Sequence, residues 1–541
     1  MKEKGTDHPA TAARRRWRAA LAPVGTLLIF ATALWVMNRL LADYHYSDIQ
    51  RAVTSIRPSL LAASLAATVA GYLALVGYDY VAFRIIGKPL PLSTMLVPSF
   101  VSFAVSNSAP ASVVTAGGVR YRLYAERGLT TLEAAAVAGI NVVTYALGLC
   151  ALAGLVLLVR PIAPGSVSSW LTLSAHSLGL ILLVAVAAYF AAILAKRESI
   201  TMLGHRMPLP TTRLALAQLG VSVADWILSS GALYVLLASF DGVDFLGFLV
   251  RFLVGQFAAL LAPIPGGLGV FEAVVLYFTS TGAPAPRVLA ALVVYRVIYY
   301  LLPLVVAGLL LLVRAARRAA REGRGRGAWV LDVVSSAAPH VMSFVTFVAG
   351  ALLLLTGTIP ANARRLLWLG RILPLPLIEV SHFLSSVLGA VLLIVAWGLE
   401  SRVRAAYRIA RGLFAFGIVL TLLRSFDVRL AEGLGFAFVV LVVASRAFPA
   451  SDHESLLRDT LSPGWVFAIG AALIVTLSVG AFAYHGVYYS NELWWRFTLN
   501  DGDAPRSLRA VVGASIAVLL FVFARYLARR APPPLGEAPE Q

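Results

Sequence analysis

The sequence is short of charged residues for its length. Only 13% of its 541 residues are Asp, Glu, Lys or Arg, whereas about a quarter of a soluble globular chain is charged. Apolar residues make up 59% of the chain, and the mean hydropathy is +0.83. A soluble fold of this size would lack a polar exterior, and a lipid bilayer removes the need for one. The composition therefore predicts an integral membrane protein.

Cysteine and the motifs of several enzyme classes are also scarce or missing. The single cysteine, Cys150, lies in an apolar run, which excludes a disulfide framework and a thiolate zinc site. The sequence contains no GxxxxGK[ST] loop and no HExxH, paired CxxC or GxSxG element. No polar stretch between the apolar runs is long enough for a globular domain. We therefore predict no cofactor, no metal site and no enzymatic activity in this chain.

Apolar runs that suit membrane helices occur along the whole chain and predict an all-α fold. They lie at 21–41, 59–83, 94–112, 132–158, 168–195, 213–239, 245–262, 268–281, 287–313, 330–358, 373–399, 405–423, 433–448, 464–485 and 507–528. The first run follows several arginines and resembles a signal peptide. It is as long as a membrane span and no small-residue cleavage site follows it, so we interpret it as the first helix.

The basic residues do not fit a simple alternation of spans. If every run crossed the bilayer, the loop with Arg120 and Arg122 would lie outside, against the positive-inside rule. The conflict is resolved if 94–112 dips in from the cytoplasm and 245–281 dips in from outside, although a loop with Arg364 then stays outside. We predict about twelve spans, two re-entrant hairpins and cytoplasmic termini. The net charge of +19 then reflects topology and anionic lipids, not nucleic-acid binding.

The two dips divide the N-terminal part into halves of opposite orientation. Residues 59–158 are predicted as span, dip from inside, span, and 213–313 as span, dip from outside, span. This is the inverted repeat of many transporters, whose broken helices meet near the midplane. The predicted organisation is a basic cytoplasmic N-terminus at 1–20, a flippase-like bundle with the repeat at 21–313, a basic cytoplasmic link at 314–329, a second bundle at 330–528 and a Pro-rich cytoplasmic tail at 529–541.

Two stretches combine proline, glycine and polar residues where a plain helix needs none. One is SNSAP at 106–110 with GGVRYRLY at 117–124, and the other is APIPGGLGVFE at 262–272. Proline and glycine leave backbone N–H and C=O groups without helical hydrogen bonds. At membrane depth such groups must be buried in protein or line a wet cavity, and free N–H groups at a helix start bind anions such as phosphate. The structural alternative is that Gly-Gly pairs are packing points and that the arginines snorkel to headgroups. The predicted re-entrant hinges are Pro110, Pro263, Pro265, Gly266, Gly267 and Gly269.

Acidic residues within or beside the apolar runs form a second set of candidates. A charge at bilayer depth costs on the order of a few kcal/mol, so each must face protein or water. Such an acid can serve function or only structure. The structural alternatives are an internal ion pair of Asp225 with Arg251 or Arg296, and a position at the membrane interface for Asp79. Secondary candidates, which include two residues spaced i, i+3 in a later span, are Arg296, Glu379 and His382.

Three motifs in this order resemble the multiple peptide resistance factor (MprF) family, which comprises bacterial lysyl-phosphatidylglycerol synthase/flippases. They are GGVRYRLY at 117–124, PGGLGVFE at 265–272 and YSNELWWRF at 489–497, and the resemblance runs along nearly the whole chain. It implies a protein of the bacterial cytoplasmic membrane that moves aminoacylated phosphatidylglycerol to the outer leaflet and lowers sensitivity to cationic antimicrobial peptides. It also implies homo-oligomers. The family's soluble synthase domain has no counterpart after Arg530, so we expect a separate synthase, a truncated form, or transport of a lipid that other proteins make.

A lysylated phosphatidylglycerol carries one phosphate and two amines, so its carrier needs both signs of charge. The predicted phosphate ligands are Asn107, Gly117, Gly118, Arg120 and Arg122. The predicted amine ligands are Asp79, Asp225 and Glu272. Two alternatives stay open, namely a flippase for a glycolipid or polyprenyl-linked lipid, and a membrane scaffold for a separate lysyltransferase. The expected partners are membrane phospholipids and a separate aminoacyl-phosphatidylglycerol synthase.

Overall fold

The fold is taken from a computed structural model of the chain. It describes residues 31–40, 44, 46–108, 120–125, 128–160, 169–195, 199–202, 205–208, 210–237, 244–261, 267, 269–280, 283–321, 342–356, 371–401, 403–443, 463–483, 512–513 and 515–522. The chain divides into two compact units. We call Leu28–Arg314 the N-terminal bundle, and Ala315–Gln541, which is grouped with Met1–Leu27, the C-terminal bundle.

Both bundles are built from helices. The described helices of the N-terminal bundle are α1 (31–40), α2 (Tyr46–Thr54), α3 (Pro58–Ile85), α4 (Leu92–Ser108), α5 (120–124), α6 (Thr131–Val159), α7 (Ser169–Leu194), α8 (Thr212–Leu237), α9 (Phe245–Leu261), α10 (Val270–Thr279), α11 (Ala285–Arg296) and, after a π turn at Val297–Leu301, the start of α12 (Leu302–Arg321). Those of the C-terminal bundle are α13 (Met342–Thr356), α14 (Leu375–Glu400), α15 (Arg404–Ser425), α16 (Val428–Val443), α17 (Pro463–Ala483) and α18 (515–522).

Within the described residues, seven helices are long and apolar enough to cross a membrane. They are α3, α6, α7, α8, the continuous α11–α12, α14 and α15, and shorter apolar helices include α4, α9, α10, α13 and α17. Large apolar side chains such as Leu73 and Phe436 are exposed, as expected where lipid replaces water. These features confirm the prediction of a helical, multi-pass membrane protein. The number of about twelve spans stays a prediction.

A short hairpin departs from the all-helical prediction. Strands β1 (Ser199–Met202) and β2 (His205–Pro208) pair antiparallel between α7 and α8, with Ser199 opposite Pro208. The β-branched Ile200 and Thr201 favour extended backbone. The hairpin lies in the basic connection that we predict on the cytoplasmic side, where the chain is not required to be helical.

Helices α3 and α8 pack against each other and run antiparallel. Ser64 Oγ donates to the Ala232 carbonyl oxygen at 2.8 Å, and further along α3 the Tyr78 hydroxyl lies 3.0 Å from Ser222 Oγ. A Cβ on Gly77 would lie 3.0 Å from Val221, so this glycine allows the close approach. The two helices begin the two predicted halves, and an inverted repeat requires them to be antiparallel. The repeat itself stays a prediction.

The predicted re-entrant segments contain helices shorter than a membrane span. Helices α4 and α9 have 17 residues each and α10 has 10. Helix α10 therefore rises only about 15 Å, against a hydrocarbon core of about 30 Å. Gly267 and Gly269, between α9 and α10, have φ values of 62° and 82°. A Cβ on Gly267 would lie 2.4 Å from Ala259 Cβ. Both this steric clash and the positive φ therefore require glycine at this position. The other predicted hinges lie outside the described residues: Pro110, Pro263, Pro265 and Gly266.

Candidate functional site

A fully buried ion pair joins α3 to α5. Arg120 Nε donates to Asp79 Oδ1 at 3.0 Å, and the two residues are 1% and 0% exposed. Asn141 Nδ2 donates to the same oxygen at 2.6 Å, and Ser99 Oγ donates to Oδ2 at 2.5 Å. The Tyr124 hydroxyl adds a longer contact of 3.5 Å to Oδ2. Protein groups therefore occupy the carboxylate that we predicted to bind a lipid amine.

Arg120 keeps part of its hydrogen-bonding capacity. Its guanidinium lies over the Phe103 ring at 4.5 Å, and its Nη2 has no hydrogen-bond partner among the residues that the structure describes. An arginine has five N–H donors in a fixed geometry, so pairing with Asp79 through Nε leaves donors for an anion. The predicted role of Arg120 as a phosphate ligand stays compatible with its ion pair.

The structure describes two of the other predicted phosphate ligands, Arg122 and Asn107. Arg122 is exposed on α5, because residues two positions apart on a helix do not share a face. Asn107 is half-buried near the end of α4, and its side chain interacts with Tyr72. Gly117 and Gly118 lie outside the described residues. The structure therefore separates Arg122 from the buried cluster.

A second, partly buried ion pair lies at the start of α10. Arg296 Nε donates to Glu272 Oε1 at 2.5 Å, and Glu272 Oε2 accepts from the Gly269 backbone N–H at 2.7 Å. The Arg296 guanidinium also lies 4.4 Å from the Tyr300 ring centroid. Glu272 caps its own helix and neutralises an arginine of α11. Its carboxylate, which we predicted to bind a lipid amine, thus has protein partners in this conformation.

Asp225 differs from both of these acids. It is 5% exposed on α8, and its Oδ2 accepts from the Tyr78 hydroxyl at 3.0 Å. No described donor lies within hydrogen-bonding geometry of its Oδ1, although the Tyr299 side chain interacts with the carboxylate. Neither Arg251 nor Arg296 forms the internal pair considered from the sequence, since Arg296 pairs with Glu272 and Arg251 Nη1 is itself without a described partner.

A π turn beside Asp225 interrupts the helix that α11 and α12 form. Pro303 has no amide hydrogen to donate to the carbonyl of Tyr299, four residues earlier. The Tyr72 hydroxyl donates to that carbonyl at 3.2 Å instead. The wider turn brings Tyr295 and Tyr299 into a stacked pair with ring centroids 5.2 Å apart. Single π turns inside α-helices are frequent at functional sites.

An apolar groove of about 340 Å³ lies between α3, α4 and the π turn with α12. Its walls include Val69, Val97, Phe100 and Val306, and Tyr72 also lines it. Val69 is 55% exposed, so the groove meets the lipid-facing surface. The Tyr72 hydroxyl reaches inward to the Tyr299 carbonyl. Tyr72 therefore separates the apolar groove from the polar interior that contains Asp225.

The secondary candidates fall into different units. Arg296 belongs to the N-terminal bundle and pairs with Glu272. His382 is buried on α14 of the C-terminal bundle. Glu379 lies on the same helix, but its side chain is outside the described residues.

Several partners of the acids were missed from the sequence. Asn141 lies in the middle of a predicted span, where a polar side chain is itself a signal. The tyrosines carried no such signal, because tyrosine is common at membrane interfaces and in packed cores alike. The apolar groove had none either, since α3 and α12 are more than 200 residues apart in the chain.

Comparison with known proteins identifies the family. The family model described as the lysylphosphatidylglycerol synthase TM region matches residues 24–308. An uncharacterized protein of Synechocystis sp. is 33% identical over 295 residues, which are 54% of this chain and 91% of that protein. The inner membrane protein YbhN of Escherichia coli K12 is 28% identical over 299 residues, with the same coverage.

The similarity to a phosphatidylglycerol lysyltransferase is more local. The Staphylococcus aureus (strain COL) enzyme is 36% identical over 89 residues, which are 16% of this chain and 11% of the enzyme. The family prediction is confirmed over 24–308, a narrower range than we predicted, and the resemblance of 489–497 stays a prediction. The chain therefore belongs to the family of lysylphosphatidylglycerol synthase transmembrane regions, as a multi-pass membrane protein with a lipid-related role.

Proposed function

We propose that this chain is a lipid flippase, which moves aminoacylated (lysyl-) phosphatidylglycerol to the outer leaflet of the bacterial cytoplasmic membrane. The observation that carries the proposal is the apolar groove that lies one tyrosine away from the polar interior with Asp225. A moving phospholipid needs both environments at once, one for its acyl chains and one for its headgroup. Lysine on the outer leaflet adds positive charge, which would lower sensitivity to cationic antimicrobial peptides.

The charges of the polar interior suit a headgroup with both signs. Arg120 Nη2 is a buried donor and Asp225 Oδ1 a buried acceptor, each without a described partner in hydrogen-bonding geometry. Buried polar atoms of this kind are rare in finished cores and are costly unless a ligand or water completes them. A phosphate would accept a hydrogen bond from the Arg120 guanidinium, and an ammonium would donate one to the Asp225 carboxylate.

The proposal treats this chain as a transporter that works with a separate synthase. The family and the lysyltransferase relative connect it to lysylphosphatidylglycerol, and the buried features described above resemble a transport pathway more than a catalytic centre. Lipid mass spectrometry of cells that make this chain without a synthase tests whether the chain itself synthesises the aminoacyl lipid. No aminoacyl lipid should accumulate. New lysyl-phosphatidylglycerol in those cells would instead favour an enzymatic role.

A flippase for a glycolipid or polyprenyl-linked lipid is the second candidate. It is favoured because the relatives matched along 91% of their length are an uncharacterized protein and YbhN, neither of which is named as a lysyltransferase. The same transport experiment therefore needs a glycolipid beside the aminoacyl lipid. The lipid that moves faster identifies the substrate class.

The test measures movement of fluorescent lysyl-phosphatidylglycerol in proteoliposomes that contain only this chain. We expect Val69→Trp, which fills the groove, to slow the movement at least tenfold. Leu155→Trp is the matched control, because Leu155 is 54% exposed on α6 and is not among the lining residues. Equal rates for both variants would exclude the groove as the lipid path. No movement of any lipid by the unaltered chain would contradict the flippase proposal.

A further inference from the structure

The three candidate acids of the N-terminal bundle, Asp79, Asp225 and Glu272, have different partners. Asp79 lies 3.0 Å from Arg120 Nε, and Glu272 lies 2.5 Å from Arg296 Nε. The described interactions of Asp225 include no arginine, lysine or histidine, although it is buried to 5% exposure. Of the three acids, Asp225 therefore has no cation as a partner in the part of the chain that the structure describes.

The groups that surround Asp225 are phenols. The titratable side chains that interact with it come from α3, α6, α11 and the π turn, and they are Tyr72, Tyr78, Tyr145, Tyr295 and Tyr299. On α9, the basic residue is Arg251, which makes no ion pair with Asp225. On α7, the Tyr189 hydroxyl is directed to Gln218. The described titratable side chains that interact with Asp225 are thus all phenols, which ordinarily carry no charge at neutral pH.

An isolated carboxylate in such surroundings is unfavourable. Its charge must be removed by a proton or balanced by a cation. A tyrosine-rich environment also suits an ammonium group, since aromatic faces attract cations. Asp225 therefore has two chemically reasonable states, a neutral acid without cargo and a carboxylate paired with an ammonium.

We propose that Asp225 exchanges a proton for the ammonium group of an aminoacyl lipid headgroup. This inference rests on the proposed flippase function and adds its headgroup contact and its coupling to protons. In the exchange, the O–H bond of the carboxylic acid breaks and the proton leaves to water. The carboxylate then pairs with the ammonium, which keeps its own protons, and no covalent bond to the lipid forms.

The exchange links transport to the proton gradient. On the acidic outer side, a proton from water restores the neutral acid and releases the lipid ammonium. On the inner side, a new lipid displaces that proton. Each ammonium that moves outward is thus accompanied by one proton that moves inward.

The test titrates the purified full chain with short-chain lysyl-phosphatidylglycerol between about pH 5 and 6.5, where both lipid amines stay charged. Proton release is followed with a pH indicator in weak buffer, and affinity is measured at each pH. We expect about one proton released per lipid bound and a dissociation constant that falls about tenfold per pH unit. Phosphatidylglycerol, which has no amine, should release none.

The decisive variant is Asp225→Asn, which keeps the size of the side chain and an acceptor for Tyr78. It should bind more weakly, because the carboxylate that pairs with the ammonium is lost, and its remaining binding should neither release a proton nor depend on pH. Asp244→Asn is the matched control, because this exposed acid before α9 lies outside the site, and it should behave as the unaltered chain. Binding by the unaltered chain without proton release would overturn the exchange and leave the flippase proposal intact. No binding of lysyl-phosphatidylglycerol at any pH would overturn both.

Discussion

The two bundles satisfy their buried polar groups by different means. In the N-terminal bundle, buried Asp and Arg side chains are joined across helices, by contacts such as Asp79 to Asn141 and Asp225 to Tyr78, which are 62 and 147 residues apart. In the described part of the C-terminal bundle, the buried polar side chains are Ser343, Thr346, Ser381, His382, Ser385, Ser386, Thr421 and Thr476. Several of these hydroxyls bond to carbonyls of their own helix, as Thr421 does to Gly417 at 2.7 Å.

The C-terminal bundle relies on close backbone contact instead. A Cβ on Gly350 would lie 2.7 Å from the Gly389 carbonyl oxygen, and a Cβ on Gly389 would lie 2.8 Å from the Gly350 carbonyl oxygen. Small residues at such crossings are the usual way to pack membrane helices. Buried charges are expensive and are kept where they serve a purpose. For the described residues, the difference therefore favours a packing role for the C-terminal bundle.

The strongest test of this comparison breaks the buried ion pair. Arg120→Ala should lower the free energy of unfolding by about 3–5 kcal/mol, because it leaves Asp79 as an uncompensated buried charge. Thermal unfolding in detergent measures the loss. The double variant with Asp79→Asn should recover part of it.

Arg122→Ala is the matched control for this prediction. Arg122 is exposed on the same helix, so its removal should change the stability by no more than about 0.5 kcal/mol. If Arg120→Ala and Arg122→Ala unfold at the same temperature, the pair does not stabilise the N-terminal bundle.

The next test adds one methyl group to the C-terminal bundle. Gly350→Ala should cost about 1–3 kcal/mol, because the methyl group forces α13 and α14 apart. Gly412→Ala is its control, since nothing lies within 4 Å of a Cβ there. Hydrogen exchange at α13 and α14 locates the effect. Unchanged protection in Gly350→Ala would contradict close backbone packing as the basis of this bundle.

A smaller effect is expected at the boundary between groove and polar interior. Tyr72→Phe keeps the ring but removes the hydroxyl that donates to the Tyr299 carbonyl. The cost should be about 0.5–1.5 kcal/mol, the net value of one hydrogen bond. Unfolding measurements detect the loss, with Tyr121→Phe as the control on an exposed tyrosine. An equal change in both variants would mean that the hydroxyl of Tyr72 does not support the π turn.

The sequence predicted the membrane class, the helices and the acidic residues of interest, but not their partners. Asp225 was a candidate for pairing with Arg251 or Arg296, and the structure pairs Arg296 with Glu272 instead. Asp79 was a candidate lipid ligand, and it pairs with Arg120, 41 residues away. Such pairings depend on which helix faces meet, and local hydropathy carries no information about that.

The composition alone predicted a membrane protein, because a chain with so many apolar and so few charged residues cannot form a polar surface in water. The sequence also predicted hinges at Gly267 and Gly269, and the structure shows both with positive φ, which few other residues adopt. The packing of the helices, in contrast, was needed to show which acid has no cation among its described partners. A buried charge is balanced by groups that are close in space, and helices distant in the chain bring Tyr78, Tyr299 and Asp225 together.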